Sequence, residues 1–291
     1  APPPPPSPPA PPPPAPAGVR LNISVSTTAA ARRQTVEGFG GCFNEKGWDA
    51  LAAVGPAARA AVLKALFAND TGLGYTLCRM PVGSSDFADS YYSLDDTAGD
   101  LAVAHLNTSR DEQKLIPFVK AAMAVQPELA VWGSPWTAPE WMKDSAPQMP
   151  QNEGCGSLSS NASVRAAYAL YLARAVRAYR EHGLRFAQLA VQNEPNQGDV
   201  WDGRSCHNSY PKMHWTGPEL AAFVRDHLGP TFAAEGLNDT VGIFLATFPL
   251  NAFEEYVAPA LADPGASRHL AGVGLQYAGV GMAAAIRASP A

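Results

Sequence analysis

The stretch FAQLAVQNEPN, residues 186–196, decides how the rest of the chain is interpreted. Its apolar residues are typical of a short buried strand. Pro195 has no N–H group and disfavours helix at the residue before it, so the strand is predicted over residues 186–192. Glu194 is therefore expected at the carboxyl end of a buried parallel strand, where (β/α)8 barrels carry catalytic groups. An ordinary strand end with a solvated glutamate would give the same local pattern.

The chain divides into three parts by composition. Residues 1–17 are almost pure proline and alanine and predict an extended polyproline II tail or linker. Residues 18–34 contain one alternating stretch, 21–27, which predicts a strand of a β-sandwich or a lead-in to the main domain. Residues 35–291 form the main domain.

Strands and helices alternate through the main domain. Strands are predicted over residues 35–43, 75–80, 129–133, 186–192, 241–246 and 271–277, and helices over 48–66, 111–125, 164–182, 218–228, 252–261 and 281–287. This alternation predicts an α/β fold with a parallel sheet covered by helices. Six β/α units fit either a doubly wound sheet or an incomplete (β/α)8 barrel, and the alternation alone does not choose between them.

Composition narrows the function classes. A net charge of −5 argues against a nucleic-acid partner, and no stretch approaches the roughly 18 apolar residues of a membrane span. Four cysteines and an excess of N-glycosylation sequons favour the secretory pathway, although four buried thiols are the alternative for the cysteines. The sequons begin at Asn22, Asn69, Asn107, Asn161 and Asn238. The six histidines show no metal spacing, so neither a metal nor a cofactor is predicted.

The predicted strand ends carry aromatic, hydroxyl, amide and charged side chains. They include Asn44, Glu45, Arg79, Ser84, Ser85, Asp86, Ser134, Trp136, Thr137, Trp141, Asn193, Glu194, Gln276 and Tyr277. Indole faces stack on the C–H faces of sugars, and carboxylates, amides and guanidinium groups bind sugar hydroxyls. The strand ends therefore predict a sugar-sized pocket, with core packing as the alternative for Trp136 and Trp141.

Five motifs in order make the chain resemble the family 30 glycoside hydrolases, most closely their glucosylceramidase branch. They are VEGFGGCFNE (36–45), YTLCRMPVGSSDF (75–87), RDEQKLIPFVKAAMAVQP (110–127), WGSPWTAPEWMK (132–143) and AVQNEP (190–195). The resemblance implies a (β/α)8 TIM barrel with an attached β-sandwich. It also implies hydrolysis of β-glycosides with retention, which uses two carboxylates.

The resemblance also implies roles for individual residues. Glu194 corresponds to the general acid/base, and Asn193 to the residue that binds the sugar 2-hydroxyl. Asp86 and Trp136 correspond to positions that hold the glucose hydroxyls and ring. Arg79 corresponds to a buried arginine that orients the carboxylates. Tyr277 corresponds to an aromatic residue near the nucleophile.

The chain departs from the family pattern in three places. The sixth predicted strand ends Leu-Gln-Tyr (275–277) where the glucosylceramidases commonly have His-Trp-Tyr, and the fifth carries no acidic residue. The family nucleophile is a glutamate at the end of a seventh strand, and this chain ends after the sixth. The glutamates after Glu194 all fall on predicted helices or their caps; they are Glu219, Glu235, Glu254 and Glu255. We therefore expect an incomplete barrel that lacks retaining activity by itself.

The cysteine pairing stays open at this level. Cys155 and Cys206 lie in neighbouring long loops, where a bridge would fit. Cys42 and Cys78 lie on adjacent predicted strands and are either paired or buried.

Glucosylceramide hydrolysis in a secreted, lysosomal or vacuolar setting is the activity that the resemblance favours. The substrate partner would be a glycolipid or another β-glucoside, presented at a membrane surface if it is a lipid. The alternatives are an endo-β-1,6-glucanase or a related wall-polysaccharide hydrolase of the same family, and a non-catalytic carbohydrate-binding fragment.

Overall fold

The computed structural model describes residues 35–144, 156–196 and 211–289. Its strands are β1 (Leu77–Val82), β2 (Ala130–Pro135), β3 (Lys143–Asp144), β4 (Ser157–Leu158), β5 (Phe186–Ala190), β6 (Gly242–Phe248) and β7 (Leu270–Leu275). Five of them form a parallel sheet in the spatial order β1-β2-β5-β6-β7. The short strands β3 and β4 pair with each other in an antiparallel ladder.

Helices separate the strands of the main sheet. The α-helices are α1 (Glu45–Ala53), α2 (Gly55–Phe67), α3 (Leu115–Met123), α4 (Ala162–Glu181), α5 (Gly217–Phe223), α6 (Gly229–Ala234), α7 (Ala258–Ala262), α8 (Pro264–Ser267) and α9 (Ala283–Ala288). Tighter 3₁₀ turns cover Asp111–Gln113, Glu140–Met142 and Tyr277–Met282, and wider π-helical turns cover Val224–Leu228 and Phe253–Val257.

The order of the strands distinguishes the two fold classes that the sequence left open. In the main sheet each strand lies beside the one that precedes it along the chain, with no reversal of direction across the sheet. A doubly wound sheet reverses its strand order at a switch point, whereas a (β/α)8 barrel adds its strands one after another. The described strands therefore form part of a (β/α) barrel, as predicted.

An extended segment, residues 38–43, runs beside β1 where the sequence predicted a first strand over 35–43. The Arg79 N–H donates to the Gly41 carbonyl at 2.8 Å, and the Phe43 N–H donates to the Arg79 carbonyl at 2.8 Å. Only one regular bridge, between Cys42 and Arg79, forms along the segment. The segment thus takes the first position of the barrel with less regular pairing than predicted.

Strand β1 continues through Pro81, where the sequence predicted that it would end. The N–H groups of alternate residues point to the same side of a strand, and the Arg79 N–H points to the segment 38–43. Leu77 and Arg79 donate to the carbonyls of Phe39 and Gly41, so position 81 lies opposite Phe43, the last residue before the turn into α1, and the proline falls at the end of this pairing, where it costs at most one hydrogen bond.

Two predicted helices begin or continue differently in the structure. The helix predicted over 111–125 starts as a 3₁₀ turn, and α3 begins only after Lys114, whose φ of −136° is not helical. The helix predicted over 218–228 continues through the π-helical turn into α6. The predicted break in the first helix at Gly55 is confirmed, because α2 begins there.

Helix α4 covers the sheet with a face of tyrosines. Tyr168, Tyr171 and Tyr179 are at most 1% exposed. The ring of Tyr179 stacks on that of Phe186 in β5, with 5.8 Å between the centroids. A Cβ atom at Gly133 in β2 would lie 2.1 Å from the Phe186 ring, so a side chain at that position would displace the ring.

Buried carboxylates anchor the long loop that follows β1. Glu45 is 4% exposed and accepts hydrogen bonds from Arg110 Nε at 3.0 Å and from the Asp89 N–H at 2.7 Å. Asp111 is fully buried and accepts from the hydroxyls of Tyr92 and Tyr179. These contacts tie the loop to α1 and α4, and the loop in turn carries residues of the cavity described below.

The structure shows whether Cys42 and Cys78 form a disulfide. Cys42 and Cys78 both carry free thiols, so of the two alternatives the disulfide is wrong for this pair. Neighbouring residues of a strand face opposite sides, and Arg79 shares a face with its bridge partner Cys42. The thiol of Cys78, which is 2% exposed, consequently lies on the other side of the sheet.

Several predictions fall outside the described residues or stay predictions. The proline-rich tail, the predicted strand 21–27, Cys155, Cys206 and the sequon at Asn22 lie outside them. Contacts divide the chain into 1–37 and 38–291, and only residues 35–37 of the first unit are described. The asparagines of the other four sequons are exposed. Within the described ranges no helix is long and apolar enough to cross a membrane.

Replacement of Gly40 by alanine is expected to destabilise the protein by about 3 kcal/mol. A Cβ atom at Gly40 would lie 1.9 Å from the carbonyl oxygen of Leu77, a backbone atom that can move only if the segment 38–43 leaves β1. A Cβ atom at Gly41 meets nothing within 4 Å, so Gly41→Ala is the matched control and should change stability by less than about 1 kcal/mol. Urea unfolding of both variants measures the difference, and equal stabilities would contradict the close approach.

Asp111 is expected to make stability depend on pH. Burial raises the pKa of this carboxyl from 3.8 to about 6, against the opposing effect of the two tyrosine hydroxyls. A raised acid pKa means that the folded state holds the proton more tightly. The Asp111 carboxyl therefore adds about 3 kcal/mol to the free energy of unfolding below about pH 4, and this contribution is lost as the pH rises through about 6.

The measurement is urea unfolding at pH 4 and pH 7 for the wild type, Asp111→Asn and the exposed control Asp70→Asn. Stability of the wild type should fall relative to Asp111→Asn as the pH rises, whereas Asp70→Asn should follow the wild type. An identical pH profile for the wild type and Asp111→Asn would show that the carboxyl is not coupled to folding.

Candidate active site

A cavity of about 420 Å³ opens at the carboxyl ends of the parallel strands. Its lining comes from the segment before α1, from β1 and the loop after it, from the loop after β2, and from the chain just beyond β5 and β7. The lining residues are Cys42, Asn44, Arg79, Ser85, Asp86, Phe87, Trp136, Asn193, Glu194, Gln276 and Tyr277. All six residues that the sequence analysis selected as a site are among them, so the fold brings together positions up to 198 residues apart in the sequence (from 79 to 277).

Arg79 forms the floor of this cavity. Its Nη2 donates to Ser134 Oγ at 2.9 Å and to Asn193 Oδ1. The guanidinium carbon lies 4.9 Å from the ring centroid of Trp132 and 4.3 Å from that of Trp136. Burial lowers the pKa of Arg79, and negative groups facing it, Asp86 and Glu194 among them, oppose this effect. Aromatic faces and hydrogen bonds thus hold a positive charge beneath two carboxylates.

The amide of Asn193 is held by three donors. Besides Arg79, its Oδ1 accepts from Thr247 Oγ1 at 3.2 Å and from Gln276 Nε2 at 3.1 Å. An arginine only donates, so the carbonyl end of the amide is the end that faces Arg79. The backbone is fixed as well, because the Asn193 N–H donates to the Pro135 carbonyl at 2.8 Å.

Glu194 lies half-buried beside this amide, in a strained backbone conformation. Its φ is +49°, and its N–H donates to the Thr247 carbonyl at 2.9 Å. Tyr277, which also lines the cavity, has a positive φ as well, of +43°. Such conformations cost about 1–3 kcal/mol each in residues other than glycine and often occur at functional sites. A third, Val103 at +50°, lies in the core away from the cavity, so strain alone does not mark the site.

Asp86 presents an exposed carboxyl to the cavity. The surrounding protein raises the pKa of Asp86 above its usual value, and the backbone amides of Asp86 and Phe87 and the charge of Arg79 act in the opposite direction. The N–H of Phe87 donates to Ser85 Oγ at 3.2 Å, which tightens the turn that carries the carboxyl. Asp86 can therefore accept hydrogen bonds from ligand hydroxyls.

The aromatic candidates differ in exposure. Trp136 lines the cavity but is only 4% exposed, since it packs on Arg79. Tyr277 is 78% exposed and stands at the mouth. Trp141 does not line the cavity; its indole N–H donates to the Asp95 carbonyl at 3.0 Å, so this tryptophan anchors the loop after β1.

The structure adds cavity residues to which the sequence analysis gave no role; of these, only Gln276 was named among the strand-end side chains. Cys42, Phe87 and Gln276 line the cavity, and Thr247 lies directly behind Asn193. Positions 42, 247 and 276 all fall at the ends of predicted strands, which was the available signal. Their types gave no further reason to choose them, because a thiol, a hydroxyl and an amide are also common in cores.

Among the described residues, no group of three or more His, Cys, Asp or Glu side chains is placed to hold a metal ion. The expectation of a metal-free and cofactor-free site stays a prediction.

The thiol of Cys42 should react slowly for an exposed cysteine. Burial of the sulfur among protein atoms raises the pKa of Cys42 to about 11, although the side chain is open to solvent in the cavity. At pH 8 the reaction with iodoacetamide is expected to be roughly 10- to 100-fold slower than for an ordinary thiol. Peptide mass mapping follows the site, with Cys42→Ser as the control. A rate that levels off near pH 8.5 would contradict the crowded floor of the cavity.

Comparison with known proteins adds to this geometry. Residues 36–284 match the Glycosyl hydrolase family 30 TIM-barrel domain. A Caenorhabditis elegans protein with the provisional name glucosylceramidase 3 is 28% identical over 253 residues, which are 86% of this chain and 47% of that protein. The lysosomal acid glucosylceramidase of Mus musculus is 25% identical over 84% of this chain and 46% of its own length.

The solved structure of an endo-β1,6-glucanase also superposes well. Its TM-score is 0.73 at 26% identity, and the match covers 86% of this chain and 53% of that one. The chain thus spans about half the length of the relatives that it matches. Because the family domain covers nearly all of the main domain, and the parallel strands have the order that this fold requires, the chain belongs to glycosyl hydrolase family 30.

Proposed function

We propose that the protein hydrolyses β-glucosides with retention of configuration, that glucosylceramide is its substrate, and that Glu194 is its general acid/base. The observation that carries this proposal is the convergence of six residues on one cavity of a family 30 domain. These residues are Arg79, Asp86, Trp136, Asn193, Glu194 and Tyr277.

Glu194 would act twice in the reaction. In the first step the second carboxylate, the nucleophile, would bond to the glucosyl carbon while the protonated carboxyl of Glu194 gives its proton to the glycosidic oxygen, so that the ceramide leaves as the free alcohol and Glu194 is ionised. In the second step Glu194 would take a proton from the water that attacks the same carbon, the bond to the nucleophile breaks, and glucose is released. The position of Glu194 in the lining of the cavity, half-buried just beyond the carboxyl end of β5, supports this role.

The other cavity residues would bind the sugar. Because Asn193 Oδ1 is occupied by three donors, Nδ2 is the amide atom available to a sugar hydroxyl, and the 2-hydroxyl is the one proposed. Asp86 would accept from further hydroxyls, and Trp136 would border the ring. Tyr277 would lie near the nucleophile, and Arg79 would hold the carboxylates in their orientation.

Retention requires a second carboxylate as nucleophile. Of the four glutamates that follow Glu194, Glu219 lies in α5, Glu235 caps α6, and Glu254 and Glu255 lie in the π-helical turn. None of these positions is a strand end. We therefore expect the nucleophile on a further strand of the whole protein, and little retaining activity from the present chain alone.

Exposed apolar side chains at the mouth favour a lipid over a polysaccharide. Phe87 and Tyr277 line the cavity and are 55% and 78% exposed. Leu250 and Val280 follow β6 and β7 at the same end of the sheet and are 50% and 61% exposed. Such surface suits the alkyl chains of a ceramide presented by a membrane. The lysosomal relative, together with the sequons, supports a secretory or lysosomal location.

An endo-β-1,6-glucanase is the second candidate. It is favoured by the similarity to the solved endo-β1,6-glucanase, and the exposed Tyr277 would equally stack on a second sugar. A carbohydrate-binding role without catalysis is the third candidate. It requires sugar binding by this chain and no turnover by the whole protein.

The deciding experiment assays the whole protein that contains this chain on glucosylceramide vesicles and on β-1,6-glucan. We expect hydrolysis of the lipid, and Glu194→Gln should lower kcat by about 10²- to 10⁴-fold, because the leaving alkoxide then receives no proton. The matched control is Glu128→Gln, whose side chain is 78% exposed on the surface. Release of glucose only from the glucan would select the second candidate, and an unchanged kcat for Glu194→Gln would remove that residue from the mechanism.

A further inference from the structure

We propose that Gln276 and Thr247 are positioning residues that hold the Asn193 amide with its nitrogen directed to the cavity. The proposal deepens the proposed function and rests on it, because it concerns how the same site recognises a sugar hydroxyl.

The three side chains form a directional chain of hydrogen bonds. Gln276 Nε2 donates to Thr247 Oγ1 at 2.7 Å and to Asn193 Oδ1 at 3.1 Å. Thr247 Oγ1 lies 3.2 Å from the same Oδ1, and its single proton is donated there. A hydroxyl that accepts from one neighbour and donates to the next has a fixed orientation, so Gln276 sets the direction of the Thr247 proton.

Burial protects the hydrogen bonds between these side chains from water. Thr247 is 1% exposed and Asn193 is 5% exposed, so water does not compete with their hydrogen bonds. The backbone positions are also set, because the Thr247 N–H donates to the Gln192 carbonyl at 3.0 Å and the Gln276 N–H donates to the Phe248 carbonyl at 2.9 Å. The amide of Gln276 therefore reaches Asn193 from a fixed point beyond β7.

Arg79 alone would leave the Asn193 amide less constrained. Its Nη2 donates one N–H to Ser134 Oγ and the other to Asn193 Oδ1, so Arg79 holds the amide oxygen through a single hydrogen bond about which the amide can still turn. The two further donors, Thr247 Oγ1 and Gln276 Nε2, also bond Oδ1, so the amide is held with Nδ2 turned away from these three donors. Nδ2 is then the donor that the cavity offers to a hydroxyl oxygen.

The test uses four variants of the full chain. Gln276→Met removes both donated hydrogen bonds at similar volume, and Thr247→Val removes the hydroxyl at the same shape. Thr247→Ser retains the hydroxyl and should restore the wild-type behaviour. The control is Gln113→Met, which makes the same glutamine-to-methionine replacement at an exposed residue outside the cavity.

The first readout is selectivity between methyl β-D-glucoside and its 2-deoxy analogue, measured by titration. The wild type should prefer the glucoside, and the preference should fall roughly 5- to 10-fold in Gln276→Met and Thr247→Val, in line with the loss of about one hydrogen bond. A purely structural role would weaken both sugars equally and leave the preference unchanged, and that result would overturn the proposal.

The second readout needs no ligand. In ¹⁵N–¹H spectra, the side-chain amide signals of Asn193 are identified by their absence in Asn193→Asp. They should shift and broaden in Gln276→Met and Thr247→Val, but not in Thr247→Ser or Gln113→Met. If the wild type binds neither sugar, the proposed function fails and these signals alone decide; unchanged Asn193 signals in both variants would overturn the positioning role.

Discussion

The hydrogen bond between Arg79 and Asn193 is the contact on which the rest of the cavity depends. It joins β1 to the chain beyond β5, across β2, whose Ser134 shares the same guanidinium nitrogen. A partly buried arginine is costly unless its charge is compensated, and here the rings of Trp132 and Trp136 and the carboxylates of Asp86 and Glu194 provide the compensation. Removal of any of these groups changes the electrostatic environment of the others, so the charged and aromatic side chains of the site depend on one another.

The sheet explains why these groups meet. Side chains at the carboxyl ends of parallel strands face a common opening, and strands added in sequence bring together residues separated by whole β/α units. Two features adapt this scaffold to a site: the positive φ of Glu194 and the close approach of the segment 38–43 to β1. The first turns the carboxyl relative to the strand, and the second places the turn before α1 at the rim of the cavity.

Much of the fold, and most of the strand ends that line the cavity, are predictable from local sequence. The apolar run 186–192 predicts a strand because burial dictates its residue types, but the regular strand, β5, ends at Ala190, two residues before the predicted end. The 3₁₀ turn at Asp111 was not predictable, since it depends on two tyrosines that reach the carboxyl from positions 92 and 179. Continuation through Pro81 depends on where a neighbouring segment ends, which is again a tertiary fact.

The role of Gln276 belongs to the part that local sequence could not show. Its hydrogen bond to Asn193 joins residues 83 positions apart, and an amide at a strand end has no preferred partner. The parallel strand before it, β7, has only β6 as a described neighbour, and its residues are mostly half-exposed, in contrast to those of β6. Sheet packing therefore constrains the end of β7 less than the ends of the central strands. The hydrogen bonds that join the side chains of Gln276, Thr247 and Asn193 hold the end of β7 in place instead. The same hydrogen bonds therefore order the edge of the sheet and orient the amide of Asn193.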